Sequence, residues 1–362
     1  MDINQLILIV LAIFLVVSAI DYVLGSRLGL GDKFMEAFRM MGPLALVIVG
    51  IVAVAPILAE GLQWVSGPLH IWFGVDPAAL MNTFLALDLG GYALAVELGE
   101  KEATAVFSWV FIGSIYGATI SFTVPVAIGL LRQEDVPFFT RGILFGLVCA
   151  PFGCILGGLV AGFSFAMMVI NLIPALLFSG LIAVGLVFYQ KGTVRLFTLL
   201  GKGITVVAVI GIVLLGVEAL LPFLSIPGLA PLSEGMTIVG QVVLVLAGAF
   251  PLVYVLTRVL ERPLERIGGK IGLNEQAGAG LLASLAHAIP AFAMFPEMNN
   301  RGKIIVAAFC VSGAFVLGGH LGFVAGINAD VVFAMVVGKF GGGLAAAVLA
   351  WAVTRPVDVN QA

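Results

Sequence analysis

The chain is predicted to be all-α, a polytopic transmembrane helical bundle of about nine spans plus two re-entrant broken segments, arranged as an inverted-topology repeat. Three observations predict this. Of the 362 residues, 61% are hydrophobic and only 10% are charged, whereas the exterior of a soluble domain needs roughly 25% charged residues. Apolar runs of about 20 residues, the length that crosses about 30 Å of hydrocarbon, recur from end to end. The Lys and Arg residues also sort onto one side of a membrane for one particular assignment of the segments. A net charge of −3 points to no nucleic-acid partner.

The first run, Ile3–Leu24, has no basic residue before it and no small-residue cleavage site, so it is expected to be a retained span. The next spans are Gly42–Ala59 (extending to Val65), Ala103–Leu131, Gly142–Phe163 and Phe165–Tyr189. Gly203–Leu224, Met236–Leu256, Ile304–Ile327 and Val331–Val353 complete the set. Two weaker segments, Ala78–Leu98 and Ala277–Phe295, each carry a polar residue and a helix breaker at the centre. In the first these are Asp88 with Gly90 and Gly91, in the second His287 with Pro290.

If both weak segments crossed, Arg132 and Arg141 would face away from Arg27, Lys33 and Arg39, against the positive-inside tendency. If both dip in and return, every Lys and Arg except Lys101 and Lys339 becomes cytoplasmic. That set includes Lys191, Arg195, Lys202, Arg258, Arg262, Arg266, Lys270, Arg301, Lys303 and Arg355. Lys101 then lies outside, Lys339 falls within the last span, the N-terminus is external and the C-terminus cytoplasmic. His70, Trp64 and Trp72 read as outer interfacial residues and Trp351 as a cytoplasmic one. Two broken helices that both cross form the rival topology.

The elements repeat at a spacing of about 200 residues. Ile3–Leu24 matches Gly203–Leu224, the span with Pro56 matches that with Pro251, and the Asp88 segment matches the His287 segment. Two tight spans follow in each half. The expected organisation is a first repeat over 1–163 (re-entrant segment 78–98), a linking span over 164–200, and a second repeat over 201–356 (re-entrant segment 277–296). An odd linking span inverts the second half, the construction of many secondary transporters.

Backbone at membrane depth must be satisfied by protein or by a wet cavity. Gly90, Gly91 and Pro290 therefore predict two non-helical points that face each other and leave half-helix ends for a small solute. Ordinary surface loops are the plainer reading, and the apolar stretch Ala78–Leu87 before Asp88 weighs against it. An intramembrane carboxylate costs several kcal/mol unless paired or wet, and no Lys or Arg is evident near Asp88 in the sequence. A cationic solute, a metal ion or a proton would compensate it; a protonated or solvated structural Asp is the alternative. Tyr92, four residues on, shares a helical face with Asp88 if a helix resumes, and its ring can attract a cation. His287 and His320 can accept a hydrogen bond or shuttle a proton, or simply bond to buried carbonyls. Asn171, before Pro174, can present an amide to the interior or act as interhelical glue. The candidate substrate-binding set is therefore Asp88, Tyr92, Asn171, His287 and His320.

The three cysteines, Cys149, Cys154 and Cys310, lie in apolar spans without zinc spacing. No metal site, cofactor or catalytic residue is expected, because no HExxH, phosphate loop, dinucleotide fingerprint or GxSxG elbow occurs. Runs such as Gly113–Gly117, Gly153–Gly157 and Gly322–Gly326 place small residues four apart, which lets helices approach closely.

Several stretches then resemble a known family. LALDLGGYALAVEL around Asp88, FGCILGGLVAG from Phe152, NLIPA from Asn171 and GAFPLVYVLTRVLERPL from Gly248 carry the resemblance, with NNRGKIIVAAFCVSGAFVLGGHLGF from Asn299 and VGKFGGG from Val337. They are similar to the EutH ethanolamine transport proteins, in the same order over nearly the whole chain. The resemblance implies a bacterial inner-membrane protein that admits ethanolamine for ethanolamine utilization, not an enzyme. Asp88, Gly90, Gly91, Asn171, Pro290, Arg301, Gly302 and His320 fall where the family pattern is similar. Gly319 stands where an acidic residue is usual, and His287 where Asn is usual.

Ethanolamine also fits the residues, being a small ammonium cation with one hydroxyl. Asp88 is expected to pair with the ammonium while Tyr92, Asn171, His287 and His320 orient the solute in an alternating-access carrier. A passive channel for the neutral amine, an ion-coupled transporter of another small metabolite and a membrane sensor are the competing readings. The expected partners are the amine and the lipid bilayer, with a homo-oligomer left open.

Overall fold

The computed structural model describes residues 2–221 and 223–354, except for the side chains at 65, 66, 69, 72, 73, 261, 262, 264–267, 269 and 270. The readings of Trp72, Arg262, Arg266, Lys270 and Arg355, and the end of the second repeat, lie outside the described residues. Among those described, every regular element is helical, and eight helices are long and apolar enough to cross a membrane. The chain is a multi-pass, all-α membrane protein.

In order the helices are α1 (Ile3–Val23), α2 (Leu30–Arg39), α3 (Met41–Phe73), α4 (Pro77–Phe84) and α5 (Tyr92–Leu98). Then come α6 (Glu102–Leu130), α7 (Val136–Val160), α8 (Phe165–Phe188), α9 (Gln190–Leu220) and α10 (Leu232–Ile271). Last are α11 (Glu275–Ala286), α12 (Ala288–Ala293), α13 (Asn300–Gly313), α14 (Gly319–Ile327) and α15 (Val332–Val353). Lys191, Arg195 and Lys202 thus lie on α9 itself rather than in a loop.

Two features differ from the sequence reading. The connection after the first span holds α2, which is folded by Asp21. That carboxylate accepts the N–H groups of Leu28 at 2.9 Å, Leu30 at 3.0 Å and Gly31 at 2.9 Å, satisfying donors that open the helix. The expected span Ile304–Ile327 is not continuous. It breaks between Gly313 and Gly319 because its N–H groups find partners elsewhere: Phe315 donates to the Ser284 carbonyl at 3.0 Å and Leu317 to that of Leu285 at 2.9 Å. Phe315 takes a left-handed backbone, φ 63°. In the first half, the corresponding α6 is continuous but π-helical over Ser108–Gly117 and Thr119–Thr123, a bonding pattern that often marks functional sites.

Each weak segment is pinned end to end. Asp76 caps α4 through Ala78 N–H at 2.9 Å and also accepts Glu100 N–H at 3.1 Å and the Thr104 hydroxyl at 2.5 Å. Asn274 caps α11 through Ala277 N–H at 3.3 Å, accepts Asn299 N–H at 3.2 Å and donates to the Glu297 carbonyl at 2.8 Å. Both segments therefore start and finish at one place. The first base is tied to α8, whose Asn171 Oδ1 accepts Asp76 N–H at 2.8 Å. The second lies one turn from Lys303, which pairs with Asp135 at 2.5 Å just before α7. Between Asp135 and the start of α8 run the 25 residues of α7, roughly 37 Å at 1.5 Å per residue.

α1 packs on α10, and α9 packs on α3. α7, α13 and α15 form the central trio. There the GCILG run does what small residues are expected to do. A Cβ on Gly153 would stand 2.9 Å from the Gly338 carbonyl oxygen, so the backbones of α7 and α15 nearly touch. Outward faces of α1, α8 and α9 leave Ile13, Ile20, Leu177, Leu181, Ile210 and Val213 exposed, as lipid contact requires.

Candidate functional site

The breaks meet around one small cavity. α4 ends because Leu85 and Ala86 are extended; Ala86 N–H is then taken by the Ser121 hydroxyl at 3.1 Å. The chain turns through Leu87–Gly91 with Gly90 at φ 103°, a conformation that strains any residue with a Cβ. This turn places Asp88 on the cavity. Opposite it, His287 breaks α11 from α12 in an extended conformation; the gap between α13 and α14 supplies Phe315, and the first turn of α14 supplies Gly319 and His320. The cavity is about 60 Å³, several times the roughly 10–15 Å³ that admits one water and so room for a small solute. Its polar side chains are Asp88, His287 and His320; Ala118 and Phe122 of α6, with Val242 and Leu246 of α10, complete the walls.

The histidines are held by ring contacts and backbone. His287 Nδ1 accepts Ile289 N–H at 3.2 Å, so the neutral ring carries its proton on Nε2. Its ring meets Phe315 edge-on at 4.9 Å and Phe122 at 5.8 Å; Phe315 also lies 4.9 Å from the His320 ring. His320 is buried and its Nδ1 has no partner among the described residues.

The cavity has a neighbouring hollow on each of two sides. A vestibule of about 620 Å³ shares Met40 and His287 with it and is walled by Lys33, Glu36, Tyr254, Arg258 and Pro290. Lys33 and Glu36 pair at 2.7 Å, and the Arg258 guanidinium lies 4.5 Å over the Tyr254 ring. On the other side, Tyr92 and Phe323 line a minor void behind Asp88. Tyr92, Trp109 and Phe323 pack there as an edge-to-face cluster, with centroids 5.3, 5.8 and 6.2 Å apart.

The structure brings Asp88, His287 and His320 together, with Tyr92 one layer behind. It does not bring Asn171 to the cavity. Both ends of that carboxamide are committed, Oδ1 to Asp76 N–H and Nδ2 to the Met167 carbonyl at 2.9 Å. Gly91 is held by Asn82, which donates to its carbonyl at 3.1 Å. Pro290 borders the vestibule only.

The sequence reading found no cation near Asp88, and the fold corrects it. Lys339 of α15 is 1% exposed, donates to the Ser114 carbonyl at 2.7 Å, and stands within coulombic reach of Asp88. Asp88 has no direct ion pair among the described residues. Lys339 was legible as an ionisable residue in a span; its nearness to Asp88 across 251 positions was not. The aromatic walls Phe122, Phe315 and Phe323 carried no sequence signal distinguishing them from core.

The family model described as "Ethanolamine utilisation protein, EutH" matches residues 3–353. The chain belongs to the EutH family. It is 46% identical over 363 residues to the "Probable ethanolamine permease EutH" of Listeria monocytogenes, covering 100% of this chain and 97% of that one. It is 46% identical over 352 residues to "Uncharacterized protein YxeR" of Bacillus subtilis (97% and 95% covered). The "Probable ethanolamine permease EutH" of Salmonella typhimurium is 36% identical over 399 residues (100% and 98%). No solved structure matches. In this EutH-family chain Gly319 leaves open space in the cavity wall, since a Cβ there would meet nothing within 4 Å.

Proposed function

We propose that this EutH-family chain carries ethanolamine, as its ammonium cation, across the bacterial inner membrane by alternating access, and catalyses no reaction. The observation that carries this is the convergence of Asp88, His287 and His320 on one solute-sized cavity between broken helices. Asp88 binds the ammonium by a charge-assisted hydrogen bond, while the Nε2–H of His287 and the ring of His320 meet the hydroxyl. Relatives named ethanolamine permeases support the choice of amine.

The transport geometry rests on the two pinned segments. Their bases at opposite ends of α7, and the exchange of partners between α1–α10 and α9–α3, support two inverted repeats, 1–163 and 201–356, joined by 164–200. With the basic loops inside, the N-terminus is external and the C-terminus cytoplasmic. The vestibule with Lys33 and Arg258 then faces the cytoplasm, and the Tyr92–Trp109–Phe323 cluster is the closed outer gate.

Uptake of radiolabelled ethanolamine into proteoliposomes tests this. Saturable uptake, inhibited by small primary ammonium ions, is expected. Flux that rises with pH and never saturates would mean a channel for the neutral amine and would overturn the carrier. Binding without flux would mean a sensor.

A further inference from the structure

Lys339 lies behind the cavity and is not among the residues that line it. Its ammonium is buried at the centre of the bundle, with the Ser114 carbonyl as acceptor at 2.7 Å and the Ser114 hydroxyl left without a partner. The titratable groups in coulombic reach are Asp88 on the broken turn, Cys154 on α7 and His320 on α14. From α13 the neighbouring polar group is Ser312, against Gly342 on the next turn of α15. Asp88 is the sole carboxylate among these, so with the cavity empty it is the countercharge of Lys339.

A second cation brought to Asp88 removes that compensation. Two positive charges and one carboxylate would share a site with little water, and isolated buried charge is neutralised rather than tolerated. An alkylammonium solute can reach water by leaving; Lys339 can shed only its proton. Lysine is suited to this, since its charge responds to burial and neighbours, whereas arginine keeps its charge in proteins.

We infer that Lys339 is the proton-exchanging group of the transport cycle: its ammonium balances Asp88 in the empty cavity, and an amine cation bound at Asp88 expels one proton from Lys339 Nζ. The N–H bond broken leaves a neutral amine, and the proton passes to vestibule water, with His320 on the route because it touches the cavity and lies in reach of Lys339. Uptake of the cation is thereby coupled to protons moving the opposite way, without need of sodium. The inference rests on the amine site proposed above.

Titration calorimetry of the full-length protein in detergent with ethanolamine, at one pH in buffers of different ionisation enthalpy, reads the protons released. About one per amine bound is expected for the native protein, by linkage. Lys339→Met leaves Asp88 without its countercharge in the empty cavity, so Asp88 itself takes up a proton there and this variant should still bind ethanolamine and release one. Lys339→Arg, folded but unable to shed its charge, should lose binding by 10-fold or more. Buffer-independent heats in the native protein overturn the inference even if Lys339→Met does not fold, and leave the amine site standing. Binding and proton release by Lys339→Arg within twofold of the native protein also overturn it and assign the proton to Asp88. No binding at all by the native protein overturns the amine site and the inference with it.

Discussion

Replacing Asp88 by Asn keeps the shape of the side chain and removes its charge. A carboxylate and an ammonium ~4 Å apart interact by about 4 kcal/mol at an effective dielectric of ~20, the value suited to protein sites. Part of this is offset because the empty site already balances Asp88 against Lys339. A net loss of about 2–3 kcal/mol remains, the range of a hydrogen bond to a charged group, which is roughly a 30- to 150-fold rise in the half-saturation concentration. The same change leaves Lys339 with the Ser114 carbonyl and no countercharge. Breaking a contact ion pair in the interior costs about 3–5 kcal/mol; these charges are in reach rather than in contact, so the stability loss should fall below that range. The two effects separate in the double variant Asp88→Asn/Lys339→Met, which removes both charges. It should recover thermal stability, read by size-exclusion after heating, yet not recover saturable uptake in proteoliposomes at neutral pH. Uptake by Asp88→Asn within twofold of the native protein would refute the assignment of Asp88 to the ammonium.

Gly319→Glu should place a second carboxylate into open space at the cavity wall and lower the half-saturation concentration for ethanolamine several-fold; no change would mean that the added charge faces away from the solute. Gly90→Ala must hold φ 103° and push its Cβ to 2.8 Å from Ile51 Cγ2, so it should lose at least about 1–2 kcal/mol. A lower melting temperature, partly restored by adding Ile51→Ala, checks it. Lys303→Met leaves the buried Asp135 carboxylate without its partner at 2.5 Å and should destabilise by roughly 3–5 kcal/mol. Asp135→Asn in the Lys303→Met background should recover much of that loss in the same melting assay.

The all-α membrane class and the eight long apolar helices were legible in the sequence because hydrophobic length is a local, one-dimensional signal read against a slab of fixed thickness. Asp88 stood out for the same reason, an acid in an apolar run. The break at Gly313–Gly319 was not legible. Its apolar residues suit a helix, and it unwinds because Ser284 and Leu285 offer carbonyls from the neighbouring broken segment. Asn171 looked like a binding amide and turned out to fasten Asp76, since a carboxamide satisfies backbone as readily as a ligand. Which charges meet was decided only in three dimensions. Lys339 and Asp88 lie in different halves of the chain, and coulombic pairing depends on spatial separation and local dielectric, neither of which a linear order of residues contains.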